Sequence, residues 1–126
     1  MKTTQLLEAL EFDTAKPHAE PLFVDRHLRV LRFMLKPGQE IREHNAPYSP
    51  LCFVVLKGEG MFAGGDGKER RFGPNAMLIL DPGEKHSVRA LDEELVFVGI
   101  LGGAPSNVSE KVGGKLGRQR TKSEKD

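Results

Sequence analysis

Apolar residues along this chain come in short runs divided by polar turns, and the runs have the length of strands rather than of helices. Between Leu22 and Leu101 the stretches "HLRVLRFML", "LCFVVLKG", "NAMLIL" and "ELVFVGIL" are rich in Val, Ile, Leu and Phe. The segments "KPGQ", "GGDGK", "GPN" and "DPGEK" separate them, and Gly, Pro, Asn and Asp at such places mark chain reversals. The stretch "FAGGDGKERRF" predicts a hairpin in which Gly64, Gly65 and Gly67 supply the positive φ angles of a tight turn. No stretch of this region carries a convincing helical period. Short strands at this spacing predict an all-β sandwich or barrel.

The two ends read differently. Thr4 to Leu10 (TQLLEAL) predicts a short helix capped by Thr3 or Thr4, with Leu6, Leu7 and Leu10 on one face. Phe12 to Pro21 reads as an irregular or extended arm, interrupted by Pro17 and Pro21. Beyond Leu101, "GGAPSNVSEKVGGKLGRQRTKSEKD" has five glycines, no aromatic residue and four scattered aliphatics. Such a segment buries too little apolar surface to offset its ordering entropy, which predicts a disordered tail. The expected organisation is therefore an N-terminal helix and arm at 1–21, a barrel at 22–101 and a flexible tail at 102–126.

Composition narrows the class. A chain of 126 residues with 38% hydrophobic and 29% charged residues suits one soluble domain with its own core. No run reaches the roughly 18–20 apolar residues of a membrane span, and the first ten residues lack the apolar region of a signal peptide. The lone cysteine, Cys52, rules out an internal disulfide and suits a reducing cytoplasm. The net charge of +1 hides an asymmetry: residues 102–126 hold six Lys or Arg against three Asp or Glu. The remaining body is close to neutral, which argues against nucleic acid as a partner.

Candidate chemistry lies in two stretches with paired spacing. The first contains Gly38, His44, Ala46, Leu51 and Gly58; the second contains Asn75, Asp81, Pro82, Gly83, His86 and Ala90. Together they resemble the two motifs of the cupin superfamily, whose members fold as double-stranded β-helix, jelly-roll-like barrels. Cupins that match both motifs in full hold a metal with three His and one Glu. His44 and His86 stand at two of those positions, whereas Ala46 and Leu51 occupy the other two and carry no donor. Two imidazoles hold a divalent ion weakly, since such sites ordinarily use three or four protein ligands. The resemblance thus allows one weakly held zinc, iron, manganese or nickel ion, and equally none.

Strand alternation adds detail. A regular strand places Glu40, Arg42 and His44 on one face, which the resemblance makes the interior face, with Arg42 near the cavity mouth. Leu51, Phe53 and Val55 then face inward, while Cys52, Val54 and Leu56 face outward. Glu43 falls on the outer face unless a bulge rotates it, and His18 and His27 lie outside both motifs. The expected ligand-binding residues are Arg42, His44, Tyr48, Phe53 and His86, with Val55 and Val88 as further walls and His44 and His86 as metal ligands. Each has a plainer reading: interior histidines bonded to one another or to water, a rim charge at Arg42, packing side chains at Tyr48 and Phe53. No residue is assignable as catalytic.

Two functions compete on these grounds. One is a small-molecule binding cupin with a vacated metal site; the other is a metal-dependent dioxygenase or isomerase working with a reduced His set. A ligand-sensing role, as in regulators that resemble this family, needs either a helix-turn-helix domain that these residues leave no room for or a partner protein that the sequence does not name. "GGDG" precedes no helix, so a nucleotide-binding loop fails its structural test. The resemblance also implies a homodimer through an outer sheet face, with residues 11–24 as an arm to exchange.

Overall fold

The computed structural model describes residues 1–47 and 49–102. Its strands are β1 (His18–Val24), β2 (Leu28–Leu35), β3 (Glu40–His44), β4 (Leu51–Lys57), β5 (Gly60–Ala63), β6 (Glu69–Phe72), β7 (Met77–Leu80), β8 (His86–Ala90) and β9 (Leu95–Gly102). They form a five-stranded sheet in the order β1-β2-β9-β4-β7 and a four-stranded sheet in the order β3-β8-β5-β6. Every pairing among the described residues is antiparallel.

The core lies between the two sheets because alternate residues of each strand turn inward. Leu51, Phe53 and Val55 of β4 meet Phe62 of β5, Val88 and Ala90 of β8, and Leu95 and Phe97 of β9. Phe97 is the hub: Phe33 stacks on it at 4.8 Å between ring centroids, and the rings of Phe53 and Phe62 meet it edge-on at 5.0 and 5.4 Å. Each such pair adds about 0.5–1.5 kcal/mol beyond its buried area. Gly99 faces this cluster, and a Cβ there would lie 3.1 Å from ring carbons of both Phe33 and Phe53. Glycine is what lets the rings close.

The turns explain the paired spacing of the sequence. Gly38, Gly58 and Gly83 adopt φ angles of 82°, 76° and 79°, and Asn75 adopts 76°. These are the positions at which the two motifs turn the backbone into the left-handed region, where glycine is easiest and asparagine is tolerated. At Gly58 a side chain would also collide with the carbonyl of Glu94. The hairpin of β5 and β6 forms as expected, but only Gly67 of its three glycines has positive φ, at 72°. Gly64 and Gly65 lie against the Glu84 side chain instead: the Gly65 amide donates to Glu84 Oε2 at 2.8 Å, and a Cβ on Gly64 would lie 2.7 Å from that oxygen, so a side chain there would have to displace it.

The N-terminal helix does not form. Residues 6–9 make a turn and bend, with the Glu8 amide bonded to the Gln5 carbonyl at 3.3 Å and Ala9 at φ 54°. Isolated helices under about 12 residues are marginal, and here a better use of the backbone exists. The Arg32 guanidinium of β2, 2% exposed, donates to the carbonyls of Leu6 (2.9 Å), Glu8 (2.8 Å) and Ala9 (3.3 Å) and to Glu20 Oε1 (2.7 Å). The segment is held across the outer face of β2 as irregular chain. The following arm is partly a strand, since β1 starts at His18, four residues before the expected barrel start at 22, and pairs with β2. Pro21 fits because β1 is an edge strand and its register shifts between Pro21 and Phe23. Of the expected tail, only Gly102 belongs to a strand; 103–126 lie outside the described residues.

Candidate functional site

His44 ends β3 and His86 begins β8, and the two are direct partners across that pair of strands. Their rings meet at 4.2 Å between centroids with an interplanar angle of 61°. The Nε2 atoms are 3.1 Å apart. Each Nδ1 bonds to the carbonyl two residues earlier, His44 to Arg42 at 2.9 Å and His86 to Glu84 at 3.1 Å. A carbonyl can only accept, so each Nδ1 must carry the hydrogen, which leaves a lone pair on each Nε2. Two neutral imidazoles thus aim lone pairs at one another. That arrangement is repulsive unless a cation, a proton or a metal ion, lies between them.

The strand parity that delivers His44 inward is broken by a bulge. Ile41 pairs with Val88 and His44 with His86, so Arg42 and Glu43 together oppose the single residue Ser87. Ser87 lies between the inward-facing, buried His86 and Val88, so it and the two residues opposite it face away from the barrel interior. Arg42 and Glu43 are both exposed, and so is His44, which reaches the cavity and His86 from the rim rather than from the interior. The expectation that Arg42 shares the interior face with His44 therefore fails; alternation by two holds only in a strand without an extra residue.

The cavity beside the His pair has a volume of about 240 Å³ and is lined by Arg29, Leu31, Phe33, His44, Asn45, Ala46, Pro47, Leu51, Phe53, His86 and Leu101. The charged group at this wall is Arg29 of β2, which sequence reasoning missed. Its signal was the alternation of β2, where Arg29, Leu31 and Phe33 share a face. Phe53 is placed as expected, its ring edge-on to His86 at 5.6 Å. Val55 and Val88 lie deeper, within the core rather than on this wall. Tyr48 lies outside the described residues. His18 does not reach the cavity, its Nδ1 being bonded to the Glu11 carbonyl at 2.9 Å, and His27 is exposed at the β1–β2 turn. A smaller cleft of about 140 Å³ lies on the other side of Phe53 and His86, with Phe62, Phe72, Arg70 and Glu84 among its walls.

Burial pushes the His86 imidazole below its ordinary pKa, and the neighbouring His44 pushes it the same way, against the opposing pull of the Glu84 carbonyl. The pair therefore resists double protonation. As a metal centre it fits in part. An imidazole nitrogen binds zinc at about 2.0–2.1 Å, so two nitrogens 3.1 Å apart can both reach one ion, and each Nδ1–H···O=C bond fixes the tautomer that coordination needs. Beyond these two, Ala46 and Leu51 offer hydrocarbon to the same space, and no group of three or more His, Cys, Asp or Glu suited to a metal occurs among the described residues.

Comparison with known proteins identifies the fold and the family. A RmlC-like cupin protein from Desulfovibrio desulfuricans superposes with a TM-score of 0.75 at 29% identity, over 81% of this chain and 96% of that one. An uncharacterized conserved protein with a double-stranded β-helix domain from Klebsiella pneumoniae gives a TM-score of 0.76 at 20% identity, over 93% and 97%. KdgF from Halomonas gives 0.70 at 11% identity, over 85% and 98%; at such identities the last two establish the fold alone. No curated protein matches the chain. The cupin domain family matches residues 31–100, a span that runs from β2 through β9 and holds both histidines. The chain belongs to the cupin domain family.

Proposed function

We propose that this protein binds a small molecule in the barrel cavity, with His44 and His86 as its polar anchors and Phe33, Phe53 and Leu101 as its apolar walls. The observation that carries the reading is the convergence of two Nε2 lone pairs, 3.1 Å apart, on a cavity otherwise lined mainly by hydrocarbon. Ligand sites of this kind combine a largely apolar surface with a few placed polar groups. A ligand hydroxyl or amide donor that reaches both nitrogens removes their mutual repulsion. The test is binding of a small-molecule library by the purified full chain and by His44→Ala. Hits that bind the wild type and His44→Ala equally well refute the anchoring role of the pair.

A second reading is favoured by the same lone pairs: a metal-dependent enzyme with a reduced ligand set. A bound zinc, iron, manganese or nickel ion would supply Lewis-acid chemistry with open coordination positions. His44 and His86 would hold it, Phe53 would fix the His86 ring, and Leu51 and Ala46 would keep the surroundings apolar. Elemental analysis after purification without chelator separates the two readings. A stoichiometric transition metal that vanishes in the His44→Ala/His86→Ala variant supports the enzyme; its absence leaves the binding protein.

We also propose a homodimer through the outer face of the five-stranded sheet. Met77 and Ile79 of β7 are 66% and 60% exposed, and they lie beside Val54 and Cys52 of β4, with Ile100 of β9 beyond Cys52.

A further inference from the structure

The cavity carries a charge that no other described residue on its wall balances. Arg29 sits on the inward face of β2, in register with Leu101 of β9, which is itself in register with Leu51 of β4. These three residues form a row across the sheet at the cavity mouth, and all three line the cavity. The Arg29 Nε donates to the Gly102 carbonyl at 3.3 Å, which orients the guanidinium and leaves its two terminal nitrogens. Among the described residues Arg29 makes no ion pair, whereas the other arginines with buried or tethered heads, Arg32, Arg70, Arg71 and Arg89, each have a carboxylate partner. Among the described residues no Asp or Glu lines the cavity.

Resting on the cavity reading above, we propose that the ligand is a small monocarboxylate with an apolar body, its carboxylate held by Arg29. A planar guanidinium offers two parallel N–H donors to a carboxylate, and a single cation in an apolar setting matches one negative charge better than the two of a phosphate monoester. Phe33, Leu31 and Leu101 receive the hydrocarbon part. A space of about 240 Å³ corresponds to about eight waters of liquid volume, which suits a compact branched or monocyclic acid. The His pair is the second polar anchor, at another part of the same wall.

The experiment uses the full chain and matched probes: isovalerate against isovaleramide, and phenylacetate against phenylacetamide, titrated at millimolar concentration while the imidazole signals of His44 and His86 are followed by NMR. The expected result is that each acid binds about tenfold to a hundredfold more tightly than its amide, the range for a hydrogen-bonded charge. Arg29→Met should erase that preference in a protein that still folds, as far-UV circular dichroism would check, and Arg29→Lys should keep part of it. Equal binding of acid and amide by the wild type overturns the proposal and leaves the cavity reading standing. So does a preference that survives Arg29→Met. Silence of the imidazole signals towards every probe overturns the cavity reading and this proposal together.

Discussion

At His86 one side chain decides much of what the site can do. It is 2% exposed, and burial together with His44 lowers its pKa, so the folded protein prefers it neutral while the unfolded chain protonates it near its ordinary value of about 6.5. Where the unfolded state binds more protons, stability falls as pH falls. The protein should therefore be most stable with respect to this group above the ordinary histidine pKa and lose stability as pH drops below it. Urea titrations at a series of pH values check this, and His86→Gln should flatten the dependence in that window; an equally steep dependence in the variant refutes the assignment. The sequence shows both imidazoles through their spacing from the motif glycines. It does not show that each Nδ1 is taken by its own backbone, because that depends on ring rotation at a bulge which no residue type announces. Arg42 and Arg29 illustrate the same limit. Period-two alternation correctly sorts the residues of β2 and of β4 as far as Val55, and fails at β3, where one extra residue turns Arg42 outward.

At the scale of elements, the motif glycines survive here where the backbone needs them, and two of the four ligand positions that the resemblance implies keep His44 and His86 while the other two hold Ala46 and Leu51. Asn75 occupies a glycine position of the second motif, and its φ of 76° explains why asparagine, among side-chain-bearing residues, was acceptable. Asn75→Gly should be neutral or mildly stabilising, whereas Asn75→Val should cost about 1–2 kcal/mol, the penalty for a hindered side chain in left-handed backbone. Chemical denaturation of the two variants reads this directly. Had the absence of donors at Ala46 and Leu51 reflected general decay of the motif, Gly38, Gly58 and Gly83 would have had no reason to stay. The strands were legible because Val, Ile, Leu and Phe recur between Gly- and Pro-containing turns. The helix expected at Thr4–Leu10 was not, because its carbonyls are claimed by Arg32, 26 residues from Leu6. That long-range contact makes a second prediction. Arg32→Met leaves the Glu20 carboxylate buried without its cation and should destabilise the fold by about 3–5 kcal/mol. The double variant Arg32→Met/Glu20→Leu should recover much of the loss, as a double-mutant cycle would measure.

At the scale of the whole molecule, the two faces of the five-stranded sheet have different fates. The inner face builds the core and the cavity. The outer face is divided: the N-terminal segment lies over β2, where Arg32 and Met34 are buried and the Glu11 amide meets Met34 Sδ at 3.3 Å. The half made by β4 and β7 has no such cover among the described residues, and Met77, Ile79, Cys52, Val54 and Ile100 stand there in adjacent register. A stable interface takes about 800 Å² from each partner, and a face of this kind, closed by a two-fold axis, supplies an apolar centre for one. Exchange of an N-terminal strand is not required for it, since β1 already pairs with β2 of its own chain. The full chain should elute as a dimer in size-exclusion chromatography with light scattering. Ile79→Lys, which puts an unpaired charge in the centre of the buried face, should yield a folded monomer with the cavity intact. Cys52 supplies an internal check, because its thiol lies on the same face: a thiol reagent should label it slowly in the wild type and quickly in Ile79→Lys. A wild type that is monomeric at micromolar concentration, with Cys52 labelled at the same rate in both proteins, refutes the interface while leaving the barrel and its His pair as described.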